Sequence, residues 1–117
     1  MLLKDSKSLA WEEPLRDYYL TEVKQKVLWE DSETGATTVL LRFPPGLADK
    51  IHSHPTANQH VYGISGEVEG DDGTTSRVEG IYAYFPKGEQ HGGSTFTEES
   101  VLLFHWDGPP APETKGL

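Results

Sequence analysis

The run GLADKIHSHPTANQHVYGISG, residues 46–66, decides how the chain is read. Within it His52 and His54 flank a single residue, and Gln59 and His60 follow a short polar turn. Side chains alternate faces along a β-strand, so two histidines spaced by two point the same way there. A second segment runs downstream through Gly80, Pro86, Gly88 and His91 and brings a third imidazole from a separate turn. Three imidazoles aimed at one point fit a metal site inside a small β-barrel.

The flanking sequence carries the same signature. Twelve Gly and eight Pro fall as punctuation between short apolar runs, the pattern of an all-β barrel or sandwich. Strands are expected over 24–29, 36–43, 50–54, 59–64, 67–69, 76–78, 80–85, 95–97 and 101–106. In the second, Val39, Leu41 and Phe43 share one face, and Thr38, Leu40 and Arg42 the other. The fourth puts Val61 and Gly63 on the inner face and His60, Tyr62 and Ile64 on the outer. Alternation groups Tyr82 with Tyr84, opposite Ile81, Ala83 and Phe85, and does not say which group faces in. Residues 1–23 are expected to form an arm, irregular or briefly helical, packed on the barrel through Trp11, Leu15, Tyr18, Tyr19 and Leu20. Residues 24–107 form the barrel, and the proline-rich 108–117 an extended tail.

Composition narrows the chemistry. At 117 residues the chain is one domain with a single modest core. It has no cysteine, which excludes thiolate metal sites, disulfide scaffolds and thiol nucleophiles. Any metal must be held by His, carboxylate, amide or water. The net charge of −9, with Lys and Arg scattered, argues against nucleic acid and anionic membranes as partners. No apolar run approaches the roughly 20 residues of a membrane span. The first nine residues make a poor signal peptide, so a cytoplasmic location is the default expectation. No G-x-S-x-G elbow, P-loop or dinucleotide fingerprint competes.

The spacing of these residues resembles the two cupin motifs. Gly46, five residues, His52-Ser53-His54, four residues, Gln59, six residues and Gly66 match the first, with Gln59 where the family places glutamate. Gly80, Pro86, Gly88 and His91 match the second, with Thr95 where asparagine is usual. The preceding segments 27–31, 34–38 and 41–46 are similar to the ChrR-like cupin group and to three-histidine cupins that cleave β-dicarbonyl compounds. The resemblance implies a double-stranded β-helix of the jelly-roll kind. It implies one divalent metal per chain, held by His52, His54, His91 and the residue at position 59.

Three neutral imidazoles suit Fe(II), Zn(II), Ni(II), Cu(II) or Mn(II) alike. Gln59 offers a neutral carbonyl oxygen and two N–H donors, so it either ligates the metal or hydrogen-bonds a bound water or substrate. In both cases the metal keeps more of its positive charge than a carboxylate would leave it, favouring an anionic or enolate ligand. His60 is adjacent to Gln59 and reaches the metal with it only across a bulge or if the strand starts after them. His105 either lines the cavity mouth or caps an edge. Arg42 either binds an acidic substrate group or forms a structural ion pair. No catalytic side chain is singled out. The expected function is a metalloenzyme acting on a small oxygenated organic substrate, by O2-dependent cleavage or by Lewis-acid isomerisation or cyclisation. The alternative is a sensory cupin that binds without turnover. A homodimer is expected, because an uncovered edge strand is a liability.

Overall fold

Val39, Leu41 and Phe43 recur at every second position of one strand and are 3%, 1% and 5% exposed, so that strand buries one whole face. A computed structural model of the chain describes residues 1–14 and 22–114. Among the described residues there are eight strands: β1 Lys24–Glu30, β2 Thr37–Phe43, β3 Gln59–Ser65, β4 Glu67–Glu69, β5 Thr75–Arg77, β6 Tyr82–Phe85, β7 Thr95–Phe96 and β8 Ser100–Trp106. They form a five-stranded sheet, β1-β2-β8-β3-β6, and a three-stranded sheet, β5-β4-β7. Every pairing is antiparallel. The chain is almost entirely β, the jelly-roll-like barrel expected. Among the described residues no helix is long and apolar enough to cross a membrane.

The core gathers Val23, Val39, Leu41, Phe43, Ala57, Phe96 and Trp106, with Leu102 and Phe104 packed against them. Phe43 of β2 stacks on Phe96 of β7 at 4.3 Å between ring centroids, joining the two sheets. Burying each such ring contributes about 2–3 kcal/mol. In β6 the alternation left open by the sequence is settled by exposure. Tyr82 and Tyr84 are exposed, while Ala83 and Phe85 are half-buried on the inner side.

The arm contributes one 3-10 turn, Ser6–Ser8, capped by the Asp5 side chain, and a bridge from Glu12 to Gln25. Trp11 lies beneath the Lys26 ammonium at 4.7 Å and the Arg42 guanidinium at 4.8 Å. Two cation–π contacts of about 0.5–1 kcal/mol each fix it on the sheet. Leu15, Tyr18, Tyr19 and Leu20 lie outside the described residues.

One expectation is corrected. Residues 50–54 do not form a regular strand; only His52 pairs, as a single bridge to His91. The partner segment cannot continue a pleat, because Gly92 and Gly93 sit at φ 103° and 87°. β1 also carries a bulge between Val27 and Trp29. Val27 pairs Val39 on the inner face, but the extra residue turns Trp29 out to pair with Thr38.

At Gly63 the backbone of β3 runs against residue 78. A Cβ there would lie 1.7 Å from the Val78 carbonyl oxygen. Both partners are backbone, so neither can swing aside. Gly63→Ala should therefore destabilise the fold by about 2 kcal/mol or more. Chemical denaturation, comparing midpoints at unchanged slope, measures this.

Candidate metal centre

His52 and His91 are brought together by a reciprocal pair of backbone hydrogen bonds. Each residue's N–H donates to the other's carbonyl at 2.8 Å. Residues paired this way project their side chains to the same side. The two rings accordingly lie 4.4 Å apart. His54, two residues on, places its ring 4.9 Å from His52 and 5.1 Å from His91. The Gly88 N–H donates to the His54 carbonyl at 3.1 Å, so the turn that precedes His91 also holds His54. One ligating atom from each of the three lies within 4.8 Å of the others.

The hydrogen bonds on the far side of each ring set the tautomers. His52 Nδ1 lies 2.6 Å from the Lys50 carbonyl oxygen, and His54 Nδ1 lies 2.6 Å from that of Pro110. A carbonyl only accepts, so both Nδ1 atoms carry the hydrogen, and each Nε2 presents a lone pair. Among the described residues His91 Nδ1 is buried without a hydrogen-bond partner, and the nearby Glu89 backbone falls short of bonding geometry. An orphaned nitrogen beside two fixed imidazoles is a costly arrangement for a purely structural cluster.

Burial favours the neutral form of two of the rings. His54 is pushed down to about 4, chiefly by loss of solvation, with the Pro110 carbonyl opposing and His52 adding repulsion. His91 is likewise pushed down to about 4 by burial, then by His52 and His54. Neutral imidazole is the form that binds a metal. Asp49 Oδ1 stands 4.0 Å from His52 Nδ1, on the side away from Nε2. Burial raises the Asp49 carboxyl, with His52 opposing. The donor set therefore fits a divalent transition metal bound through three imidazoles and no carboxylate.

Gln59 is 3% exposed, and its Oε1 accepts the Trp106 indole N–H at 2.8 Å. That bond fixes the amide, and its Nε2 has no hydrogen bond among the described residues. Trp106 also lies 5.8 Å from the His54 ring, and Phe85 4.4 Å from the His91 ring. The structure does not bring the remaining candidates to the triad. His60 faces out, with Nδ1 2.7 Å from the Tyr82 hydroxyl. His105 faces out beside it, with Nδ1 2.8 Å from Thr38 Oγ1 and its ring stacked on Trp29. Arg42 covers Trp11 on that same outer side. A cavity of about 840 Å³ lies between β1, β2 and the arm, and adjoins the centre through Trp106 and Pro110 without containing the histidines.

Sequence reasoning missed Trp106 and Pro110. Trp106 was within reach, since period-2 alternation from Leu102 and Phe104 points it inward. Pro110 acts through its backbone carbonyl, which no side-chain pattern announces.

A jelly-roll barrel with three imidazoles gathered inside it is the architecture of a cupin with a histidine centre. The family model of the ChrR cupin-like domain matches residues 2–111, and the chain belongs to that family. No curated protein matches the chain. Among solved structures, a proposed acetylacetone dioxygenase from Methylibium petroleiphilum is similar with a TM-score of 0.74 at 16% identity, over 98% of this chain and 87% of that one. An RmlC-like cupin from Shewanella frigidimarina gives 0.67 at 19%, over 92% and 89%. An acetylacetone dioxygenase from Acinetobacter johnsonii gives 0.65 at 18%, over 91% and 72%.

The depressed histidines carry a stability consequence. Unfolded imidazoles take up protons near pH 6.5, while the folded His54 and His91 resist until about 4. Falling pH therefore favours the unfolded chain across that window, and the loss levels off once both states are protonated. Thermal melts of metal-free protein should show the midpoint dropping between those limits. The double variant His54→Asn/His91→Asn should show a flatter profile.

Proposed function

We propose that this cupin is a metal-dependent enzyme acting on a small, uncharged, oxygenated compound that binds as an enolate. The observation that carries the reading is the convergence of His52, His54 and His91 with no carboxylate among them, His54 and His91 being held neutral by burial. Such a centre leaves a divalent cation its full charge, and an anionic oxygen ligand from the substrate neutralises it. A bound metal would supply Lewis acidity, and iron would add reactivity with O2.

The chain's own residues do the rest. Gln59, turned by Trp106, offers its Nε2 hydrogens to a substrate oxygen rather than its carbonyl to the cation. Phe85 and Trp106 wall the site and exclude water. Arg42, the one basic side chain expected to hold an acidic group, is engaged on the outer sheet face, which favours an uncharged substrate over a carboxylate. Oxygenolytic cleavage of a 1,3-dicarbonyl compound is the reaction to test first, since an acetylacetone dioxygenase and a proposed one share the fold. Isomerisation or cyclisation through an enolate would use the same groups.

Metal analysis of anaerobically purified protein, followed by O2 uptake with 1,3-diketones, checks this. The expected result is about one metal per chain and substrate-dependent uptake, abolished in His52→Ala and reduced by about 10- to 100-fold in Gln59→Ala. Stoichiometric metal with no turnover of any ketone, enol or phenol tested would favour the sensory reading.

The homodimer belongs to the same proposal. The outer face of the five-stranded sheet carries a cross-strand row of Trp29, Thr38, His105, His60 and Tyr84. Tyr62, Tyr82 and Ile64 lie beside it and are about half exposed. The row has no carboxylate, in a chain of net charge −9, so it is a face two copies can press together without repulsion. Sedimentation equilibrium should give the mass of two chains, and Tyr82→Glu should give one.

A further inference from the structure

The proline-rich C-terminal segment reaches the histidine centre. Pro109, Pro110 and Pro112 follow the last strand, and among them Pro112 is buried. The Thr56 hydroxyl donates to the Pro109 carbonyl at 2.8 Å. The Glu113 N–H donates to the Ser53 carbonyl at 3.0 Å. At the root of the segment Asp107 accepts both the backbone N–H and the side-chain amide of Asn58, at 2.8 and 2.7 Å. Residues 107–113 are thus tied at three points to residues 53–58, the stretch that carries His54. Between those ties the Pro110 carbonyl accepts the His54 Nδ1–H.

We propose that residues 108–113 are a strap that orients His54 for metal binding, with Pro110 as the positioning residue. The inference rests on the metal reading above. Three observations carry it. First, His52 receives its acceptor from Lys50, two residues away, whereas His54 receives its own from 56 residues along the chain. The His54 ring is therefore set only once the C-terminal segment has docked. Second, the strap is seated by packing as well as by hydrogen bonds, since Gly108 and Pro112 are buried, the Gly108 backbone lies close against the Thr56 carbonyl and the Pro109 ring against Gly35. Third, the two prolines have restricted φ and no N–H, so the carbonyls are displayed with little freedom to lose and no donor to compete. A ring held this way keeps Nε2 bare and aimed between His52 and His91, and outer partners of this kind set metal affinity by about 10- to 100-fold.

Two variants and two readouts test the strap. Thr56→Val removes one tie, and a chain ending at Gly108 removes the strap. In metal-free protein, ring nitrogen chemical shifts report each tautomer. His54 should hold hydrogen on Nδ1 in the parent and become a mixture in both variants, more so in the shortened chain. His52, held by Lys50, should keep its tautomer throughout and serves as the internal control. Co(II) affinity, measured by chelator competition, should fall severalfold in Thr56→Val and about 10- to 100-fold in the shortened chain. If the shortened chain does not fold, Thr56→Val decides alone. An unchanged His54 tautomer in a folded variant overturns the proposal, as does loss of the His52 tautomer in step with that of His54. If the parent binds no Co(II), the metal reading fails, while the nitrogen shifts still decide whether the strap sets the ring.

Discussion

Two backbone hydrogen bonds, His52 to His91 and His91 to His52, hold the centre together. They cross the barrel where neither segment forms a regular strand, because Gly92 and Gly93 interrupt the pleat on one side. Everything in the site follows from that bridge. It puts two imidazoles on one side of the backbone, and the two-residue spacing adds the third. The turn at Gly88 then secures His54 from the opposite side. An irregular pairing suits this task, since a continuous ladder would impose strand twist on a geometry that has to converge on a point.

The chemistry of the site comes from removing water and charge together. Burial depresses His54 and His91, and repulsion from His52 deepens the effect for both, so these two rings are neutral donors at ordinary pH. The Asp49 carboxyl stands behind His52 rather than among the donors. Gln59 occupies a position where the family places an anion, and its oxygen is already engaged by Trp106. The cluster holds no carboxylate, so negative charge at the centre must arrive with the substrate.

The same sheet presents two different surfaces. Its inner face is the core and the histidine centre. Its outer face is a continuous aromatic band, crossed by His60 and His105 at 5.9 Å between rings. The bulge in β1 is what places Trp29 in that band, since strict alternation from Val27 would have buried it. Arg42 and Lys26 sit on this side as well, covering Trp11 of the arm. His60, His105 and Arg42, the other candidates in the sequence, face the exterior by ordinary alternation in β3, β8 and β2.

Much of this was legible in the chain itself. Alternation in 36–43 and 59–64 reports directly which side chains face the core, because the period of a strand is two. The His-x-His spacing, with His91 after the Pro86–Gly88 turn, identified the three residues that converge, and the adjacency of Gln59 and His60 already implied that one must look away. Tertiary structure alone decided the rest. The sequence could not tell whether Tyr82 and Tyr84 or Ala83 and Phe85 face inward, since both sets are apolar and only packing against His91 separates them. It could not place Arg42, whose partner Trp11 lies in a remote arm. Nor could it show that Trp106 turns Gln59, or that the Pro110 carbonyl holds His54. Those contacts join residues about 50 positions apart, and half of them use backbone atoms, which every residue carries and no sequence pattern distinguishes.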